Sequence, residues 1–196
     1  MNITIDQTRL EKRAIFDVSL RLLKEGKFHA TPMAEIAYLS KISESLMEWV
    51  FETRESLLAE LSEMTMPKIE REIQEAIKKS DGFKETVFNS WIALYQFYTR
   101  MPDTISFVEQ FDNIRPLVSQ KRIAHPGKSP SLTEVFRNQD SLSSDTSPET
   151  LAWLLHENAL CAAKMNVLNQ SLTVASPQKL AEFFWKGLAC EAASPV

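Results

Sequence analysis

The spacing of apolar residues is the feature of this sequence that most limits its fold. Leu, Ala, Glu and Lys recur three or four residues apart along the 196 residues, while alternating β-branched runs are missing. Such spacing places apolar side chains on one face of an α-helix, and only four glycines interrupt it. The sequence therefore predicts an all-α protein, whose 44% apolar content is enough for a sizeable core.

The first helix is bounded by local signals. Thr8-x-x-Glu11 has the pattern of a capping box, and Gly26 is a natural C-terminal stop. These signals predict a helix from about Leu10 to Glu25.

Three further helices follow in the N-terminal part. Their expected starts are Thr31 before Pro32, Ser43, and Thr53, all residues whose side chains cap helices well or, for proline, fit the first turn. The fourth pattern continues to Lys79 and contains Pro67, which predicts a kink and a place where one domain ends and the next begins.

The remaining chain predicts helices separated by polar breaks. An aromatic helix should span Phe83 to Arg100, and another should start near Asp103. The Ser- and Pro-rich stretch 124–148 holds one apolar island, which predicts a short helix between loops. The last two helices, at 150–169 and 178–193, are apolar on more than one face and need two partners, one of which would be a second subunit.

Composition excludes several classes of protein. No stretch reaches the roughly 18 apolar residues that span a bilayer, and the N-terminus has no apolar signal region, so we expect a cytoplasmic protein with no membrane partner. Cys161 and Cys190 have no CxxC partner and are too few for a disulfide framework, which favours buried free thiols. The net charge of −4 gives no general attraction to nucleic acid.

The sequence has no recognisable catalytic constellation. His29, His125 and His156 are scattered, and HExxH, GxSxG and glycine-rich phosphate-loop motifs are missing. We therefore expect no enzyme activity, no metal site and no cofactor.

The segments T-P-M-A-E-I-A (31–37) and S-K-I-S-E-S-L-M-E-W-V-F-E-T-R-E-S-L-L (40–58) resemble the helix-turn-helix of the TetR family of bacterial transcriptional regulators. The resemblance is specific over residues 8–62 and rests on layout alone in the rest of the chain. It implies a helix-turn-helix DNA-binding domain at 1–62 and a helical ligand-binding and dimerisation domain at 63–196. It also implies a homodimer on a palindromic operator, with recognition helices in successive major grooves.

The resemblance assigns DNA contacts by position. Thr31 matches a residue near a phosphate, Ser43 opens the recognition helix, Phe51 is its core anchor, and Arg54 matches a basic residue that approaches the DNA backbone. Other candidate DNA-binding residues are Glu44, Ser45 and Trp49 on the recognition helix and Arg9, Lys12 and Arg13 on the first helix. Trp49 has two interpretations, a DNA contact or packing against helix one, and the three basic residues fit either phosphate contact or a solvated face.

The recognition helix departs from the family pattern. The family usually has a small residue or glycine at Lys41, often lysine at Glu44, glycine at Ser45, threonine or serine at Leu46, and tyrosine at Glu48. Residues 1–63 contain eight Lys and Arg against eleven Asp and Glu, which disfavours binding to phosphates. Glu44 fits either the positive end of a helix dipole or a hydrogen bond to cytosine.

Aromatic residues of the fifth helix are candidates for a ligand cavity. The ligand-binding residues that we predict are Trp91, Tyr95, Tyr98, Phe107, Phe111 and His156. The alternative is an ordinary aromatic core, with His156 and Asn158 bonded to protein partners.

Two functions follow from this sequence. The first is a TetR-like repressor that binds an operator as a homodimer and responds to a small, apolar ligand. The second is a ligand-binding or protein-interaction module that keeps the fold and has lost DNA binding because its recognition helix is acidic.

Overall fold

The structure is a computed structural model that describes residues 5–110, 128–139, 146–168 and 175–191. Within these ranges all regular structure is α-helical, which confirms the predicted fold class. The helices are α1 (Ile5–Lys24), α2 (Met33–Leu39), α3 (Glu44–Val50), α4 (Arg54–Lys78), α5 (Phe83–Arg100), α6 (Asp103–Glu109), α7 (Pro130–Arg137), α8 (Pro148–Leu168) and α9 (Pro177–Glu191).

Helix α1 ends as the sequence predicts but begins earlier. Gly26 has a φ of 69°, and the amide of Lys27 donates to the carbonyl of Leu22 at 2.9 Å, which together form a glycine-terminated helix end. The predicted start was wrong, because α1 already includes Ile5 and Thr8 lies inside the helix. The Thr8-x-x-Glu11 pattern therefore does not cap α1.

Helix α2 does not use its predicted cap. Thr31 was expected to cap it, but Pro32 occupies the capping position and no side chain caps the helix there. The Thr31 hydroxyl instead donates to the carbonyl of Lys27 at 2.9 Å. Because the chain turns tightly between α1 and α2, this carbonyl is the nearer partner.

Helices α3 and α4 begin where predicted. The Ser43 side chain accepts a hydrogen bond from the amide of Leu46 at 3.3 Å. The amide of Ser56 donates to the Thr53 hydroxyl at 3.1 Å, and the amide of Thr53 donates to Ser56 Oγ at 3.2 Å, which forms a reciprocal cap. Helix α4 then continues through Pro67 to Lys78, in agreement with its predicted length.

The chain packs as two compact units. The first comprises the described parts of Met1–Met64 and Asp103–Ile123, and the second those of Thr65–Pro102 and Ala124–Val196. Helix α6 belongs to the first unit, where it packs against α1, and Lys24 Nζ lies 2.9 Å from Asp103 Oδ1. The division into functional domains at residue 62 stays a prediction, since these units describe packing alone.

The core of the first unit includes Phe51, which packs against α1 at the end of the short helix α3. This residue is buried, and its ring centroid lies 5.8 Å from that of Phe16 on α1. Met47 of α3, one helical turn before Phe51, is buried as well, so α3 turns one apolar face inward and leaves its polar face in solvent.

The core of the second unit is built on α5, which packs mainly against α8 and α9. Helix α7, predicted from its apolar island, is held at its N-terminus by Glu70 of α4. This carboxylate accepts from Ser129 Oγ at 2.6 Å and from the amide of Ser131 at 3.2 Å. The ring of Phe83 also contacts Phe136 of α7, with a centroid distance of 5.8 Å.

The predicted burial of the cysteines was wrong for Cys161, which is a free, exposed thiol on the solvent-facing side of α8. Cys190 has a side chain outside the described residues. In the described ranges, no helix combines the length and the apolar character needed to cross a membrane.

Candidate functional site

Helix α3 presents a polar and aromatic face to solvent. Ser43 caps the helix, and Ser45 is exposed in its first turn. The indole of Trp49 is 70% exposed, which rules out the interpretation that it is half-buried against α1. Trp49 and Ser45 are therefore accessible to a partner.

Helix α3 and the link that follows it carry uncompensated negative charge. Glu44, Glu48 and Glu52 are all exposed, and within the described ranges none of them forms an ion pair. Glu44 lies in the first turn of α3, where the exposed amides favour a carboxylate. Glu48 lies beyond this turn and Glu52 follows the end of α3, so the N-terminal amides of the helix offset the charge of neither.

Two residues with predicted phosphate contacts are turned inward. Thr31 is buried, and its hydroxyl donates a hydrogen bond to the carbonyl of Lys27. The guanidinium of Arg54 donates to the carbonyl of Phe28 and, at 2.6 Å, to the carbonyl of Thr31. It also lies over the Phe28 ring, 5.2 Å from the centroid. Arg54 therefore directs two of the five N–H donors of a guanidinium to carbonyls within the protein.

The basic residues of α1 divide into two kinds. Arg9 and Arg13 are exposed and project into solvent. Lys12 is half-buried, forms an ion pair with Glu60 of α4, and lies 5.8 Å from the centroid of the Phe51 ring. Lys12 thus stabilises the packing of α1 on α4, while Arg9 and Arg13 are available for phosphate contact.

The turn between α2 and α3 is strained at Lys41. This residue has a φ of 59°, the one positive φ of a non-glycine residue in the described part of the chain. A glycine is favoured at such a position because it has no Cβ. The exposed Lys41 side chain is a further basic group beside α3.

The predicted ligand-binding residues of α5 and α8 meet in the second unit. The Tyr98 hydroxyl lies 2.7 Å from His156 Nε2, and His156 Nδ1 lies 3.3 Å from Glu157 Oε1. Tyr98 and His156 are fully buried. Burial, with a smaller contribution from the charge of Glu157, raises the pKa of Tyr98 well above its ordinary value. The hydroxyl therefore stays protonated.

Trp91 and Tyr95 lie one helical turn apart on α5 and stack, with centroids 5.6 Å apart and planes 10° from parallel. The Trp91 indole donates to Asn158 Oδ1 at 2.8 Å, so that Asn158 has the protein partner expected of it. In the part of the chain that the structure describes, the Tyr95 hydroxyl has no hydrogen-bond partner. Burial raises the pKa of Tyr95. Tyr95 therefore differs from Trp91 and Tyr98, whose polar atoms are hydrogen-bonded within the protein.

Two predicted ligand-binding residues lie outside the described part of the second unit. Phe107 lies on α6, where it is buried in the first unit. Phe111 lies outside the described residues. The ligand-binding role of all six residues stays a prediction, and the described part of the second unit contains Trp91, Tyr95, Tyr98 and His156.

Helices α8 and α9 leave apolar side chains uncovered. The exposed members are Trp153, Leu154, Met165 and Leu168 on α8 and Phe183 on α9. Leu154, Met165 and Leu168 are spaced by 11 and 3 residues, which places them on one side of α8. These are the two helices for which the sequence predicts a second partner.

Solved structures share this architecture. A TetR-family transcriptional regulator from Haemophilus influenzae superposes with a TM-score of 0.73 at 14% identity, covering 93% of this chain and 98% of that one. A TetR-family regulator from a Shewanella species superposes with a TM-score of 0.73 at 20% identity, covering 91% of this chain and 97% of that one. The chain has the TetR-family fold. By sequence, no protein-family model and no curated protein matches it.

A third structure with the TetR-family fold was determined with ligands. AibR, in complex with isovaleryl coenzyme A and operator DNA, superposes with a TM-score of 0.68 at 17% identity, covering 91% of this chain and 97% of AibR. These similarities confirm the family resemblance at the level of the fold, and the compared proteins are transcriptional regulators.

Sequence reasoning missed two features of this TetR-fold chain. It did not foresee that Arg54 faces inward, although Phe28 and the carbonyl-rich turn before Pro32 offer a guanidinium an obvious partner. It also did not place Glu157 beside His156, because neighbours in a helix usually point apart. Within the described residues, no cluster of His, Cys, Asp and Glu is arranged to hold a metal ion.

Proposed function

We propose that the chain is a ligand-responsive transcriptional repressor that binds a palindromic operator as a homodimer. The observation that carries the proposal is the capped helix α3, with exposed Ser45 and Trp49, within a fold shared with AibR, which has been crystallised on operator DNA. In this proposal Arg9, Arg13 and Lys41 approach phosphates flanking the major groove. A cytoplasmic location follows from this function.

The uncovered apolar side chains of α8 and α9 support the homodimer. Leu168 is 63% exposed and Phe183 is 65% exposed, and large apolar groups so placed are usual at subunit interfaces. A two-fold dimer would cover the same surface on both subunits. It would also give the operator its symmetry.

The aromatic group of α5 supports a small, largely apolar ligand. Trp91 and Tyr95 offer a stacked aromatic wall, and the Tyr95 hydroxyl offers one hydrogen bond for orientation. Acyl thioesters of coenzyme A are the first class to test, because isovaleryl coenzyme A is bound in AibR. Only their acyl chain is apolar, so the aromatic group is proposed to contact this chain and not the charged coenzyme A moiety.

The deciding experiment is a titration of the purified protein against DNA flanking its own gene. It is carried out at low and physiological salt, with random duplex as competitor, because phosphate contacts alone give salt-dependent binding without specificity. Binding that survives the competitor, and that isovaleryl coenzyme A reverses, supports the proposal. A folded dimer that prefers no sequence contradicts it.

A second function is favoured by the charge of α3. Helix α3 contains no Lys or Arg, Glu44, Glu48 and Glu52 are exposed on it and just after it, and Arg54 at the start of α4 faces inward. These features weaken attraction to DNA. In this alternative the chain is a ligand-binding or protein-interaction module with the same fold and dimer. Ligand binding without any specific DNA binding would favour it over the repressor.

The ligand site is tested with Tyr95→Phe and Tyr95→Ala. Tyr95→Phe removes the free hydroxyl and keeps the stack on Trp91, so we expect weaker ligand binding with unchanged dimerisation. Tyr95→Ala should weaken ligand binding further, and Phe111→Ala tests the remaining predicted residue. If Tyr95→Ala reduces ligand binding and dimerisation equally, Tyr95 belongs to the core instead.

A further inference from the structure

The side chain of Arg54 connects three parts of the first unit. It begins α4, while its two hydrogen-bond acceptors, the carbonyls of Phe28 and Thr31, lie in the link between α1 and α2. Its guanidinium plane also covers the Phe28 ring. Carbonyls in a tight turn need donors, and one guanidinium supplies both of these.

We propose that Arg54 is a positioning residue, which fixes α2 and α3 relative to the start of α4 and makes no contact with phosphate. The assignment rests on the proposed DNA-binding function for its biological role. It differs from what the family resemblance implies for this position, where a basic residue approaches the DNA backbone.

The guanidinium of Arg54 is oriented toward the link between α1 and α2, and not toward the exposed face of α3. Charge-assisted hydrogen bonds to two carbonyls would have to break before the guanidinium could turn outward. The contact with the Phe28 ring would be lost in the same movement. Arg9 and Arg13 are already exposed and need no such rearrangement.

The position of α3 depends on this contact because α3 is held from both sides. On one side it follows α2, whose first residues adjoin Thr31, an Arg54 acceptor. On the other side only residues 51–53 separate it from Arg54. A change at Arg54 therefore acts on both ends of the α2–α3 pair.

The test compares Arg54→Lys with Arg54→Met. Lysine keeps the positive charge but cannot bridge two carbonyls and cover a ring. A phosphate-contacting Arg54 would therefore be largely replaced by lysine, whereas a positioning Arg54 would not. The measurements are amide hydrogen exchange in α2 and α3, and DNA affinity as a function of salt at a temperature where each variant is folded. Arg13→Met is the control for a lost phosphate contact, and Arg71→Met, exposed in the second unit, is the control for charge alone.

For a positioning residue, both Arg54 variants should speed amide exchange in α2 and α3 by about tenfold or more. Both should weaken DNA binding while the slope of log affinity against log salt stays at its wild-type value. Wild-type exchange in Arg54→Lys overturns the proposal. So does a slope that falls by about one in Arg54→Met alone, as expected for a lost phosphate contact.

The outcome for Arg54 is separable from that for the proposed function. If the wild-type protein binds no duplex specifically, the repressor proposal fails, and exchange in α2 and α3 still decides the role of Arg54. Faster exchange confined to residues 27–32, with α3 unchanged, would mean a local stabilising contact and would overturn the positioning role.

Discussion

The hydroxyl of Tyr98 lies 2.7 Å from Nε2 of His156, and both side chains are fully buried between α5 and α8. Each polar atom satisfies the other, so the second unit carries a polar pair inside an aromatic core. A buried polar group that loses its partner costs more free energy than the bond itself contributes. The pair therefore sets the alignment of the two helices.

Tyr98→Phe should lower the free energy of unfolding by about 1–3 kcal/mol, because it leaves His156 Nε2 without a partner in a buried site. His156→Leu should have a similar effect through the Tyr98 hydroxyl. The double variant should lower the free energy of unfolding by clearly less than the sum of the two single effects, since it removes both polar groups. Urea unfolding of the four proteins measures this coupling, and strictly additive effects would mean that the hydrogen bond contributes nothing.

Stability should fall in alkaline solution because of Tyr98. Its pKa in the folded protein is raised above the ordinary value, so the unfolded chain releases this proton at lower pH than the folded one. The contribution of Tyr98 is thus fully present below about pH 10 and is lost as the pH rises further. Urea unfolding from about pH 8 to about pH 11 should show a smaller decline in Tyr98→Phe than in wild type. Tyr38→Phe, at an exposed tyrosine, is the control and should decline like wild type.

Glu48→Tyr should raise affinity for duplex DNA. It removes an exposed negative charge from α3 and adds a hydroxyl that can donate to phosphate, with an expected gain of roughly two- to tenfold at low salt. Fluorescence anisotropy at several salt concentrations measures the change. Asp81→Asn removes one exposed charge from the second unit and should change affinity much less. Equal affinity of Glu48→Tyr and wild type at every salt concentration would place α3 away from the DNA.

Substitutions at Lys41 should report the strain of the α2–α3 turn. Lys41→Gly should raise the free energy of unfolding by up to about 1 kcal/mol, the relief of a positive φ being partly offset by the flexibility of glycine in the unfolded chain. Lys41→Val should lower it by about 1–2 kcal/mol, because a β-branched side chain is least compatible with this backbone. Chemical denaturation tests both, and a valine variant as stable as the glycine variant would contradict the strain.

Leu168→Glu and Phe183→Glu should each weaken the proposed dimer. Both side chains are exposed in the isolated chain, so that a charge there is harmless to folding and costly in an apolar interface. Sedimentation velocity at several protein concentrations should show a shift toward monomer. Leu10→Glu alters an equally exposed leucine on α1 and should leave the oligomeric state unchanged. A dimer unaffected by either α8 or α9 variant would require another interface.

Local signals predicted most of the helices. Ser43 and Thr53 were read correctly as helix starts because the hydrogen bonds of a cap involve residues three positions away. Gly26 was read correctly as an end for the same reason. The failure at Thr8 shows the limit of this reasoning, since a capping pattern is also compatible with the interior of a helix.

The parts that the sequence did not reveal depend on distant contacts. The packing of α6 against α1 pairs Asp103 with Lys24, and no periodicity within either helix carries that information. The direction of Arg54 depends on carbonyls 23 and 26 residues earlier. The exposure of Cys161 depends on which side of α8 is not covered by the helices that pack against it. The candidate residues of α5 could be named from their aromatic character, but only the structure distinguishes the bonded Tyr98 from the free hydroxyl of Tyr95.

The link between α3 and α4 contains residues 51–53 alone. Phe51 is buried at one end of it, and Thr53 is tied into the first turn of α4 at the other. A link of three residues with both ends held in place has few backbone torsions that can change without moving the helices. A tilt of the first turn of α4 therefore acts directly on the end of α3, through a link of three residues.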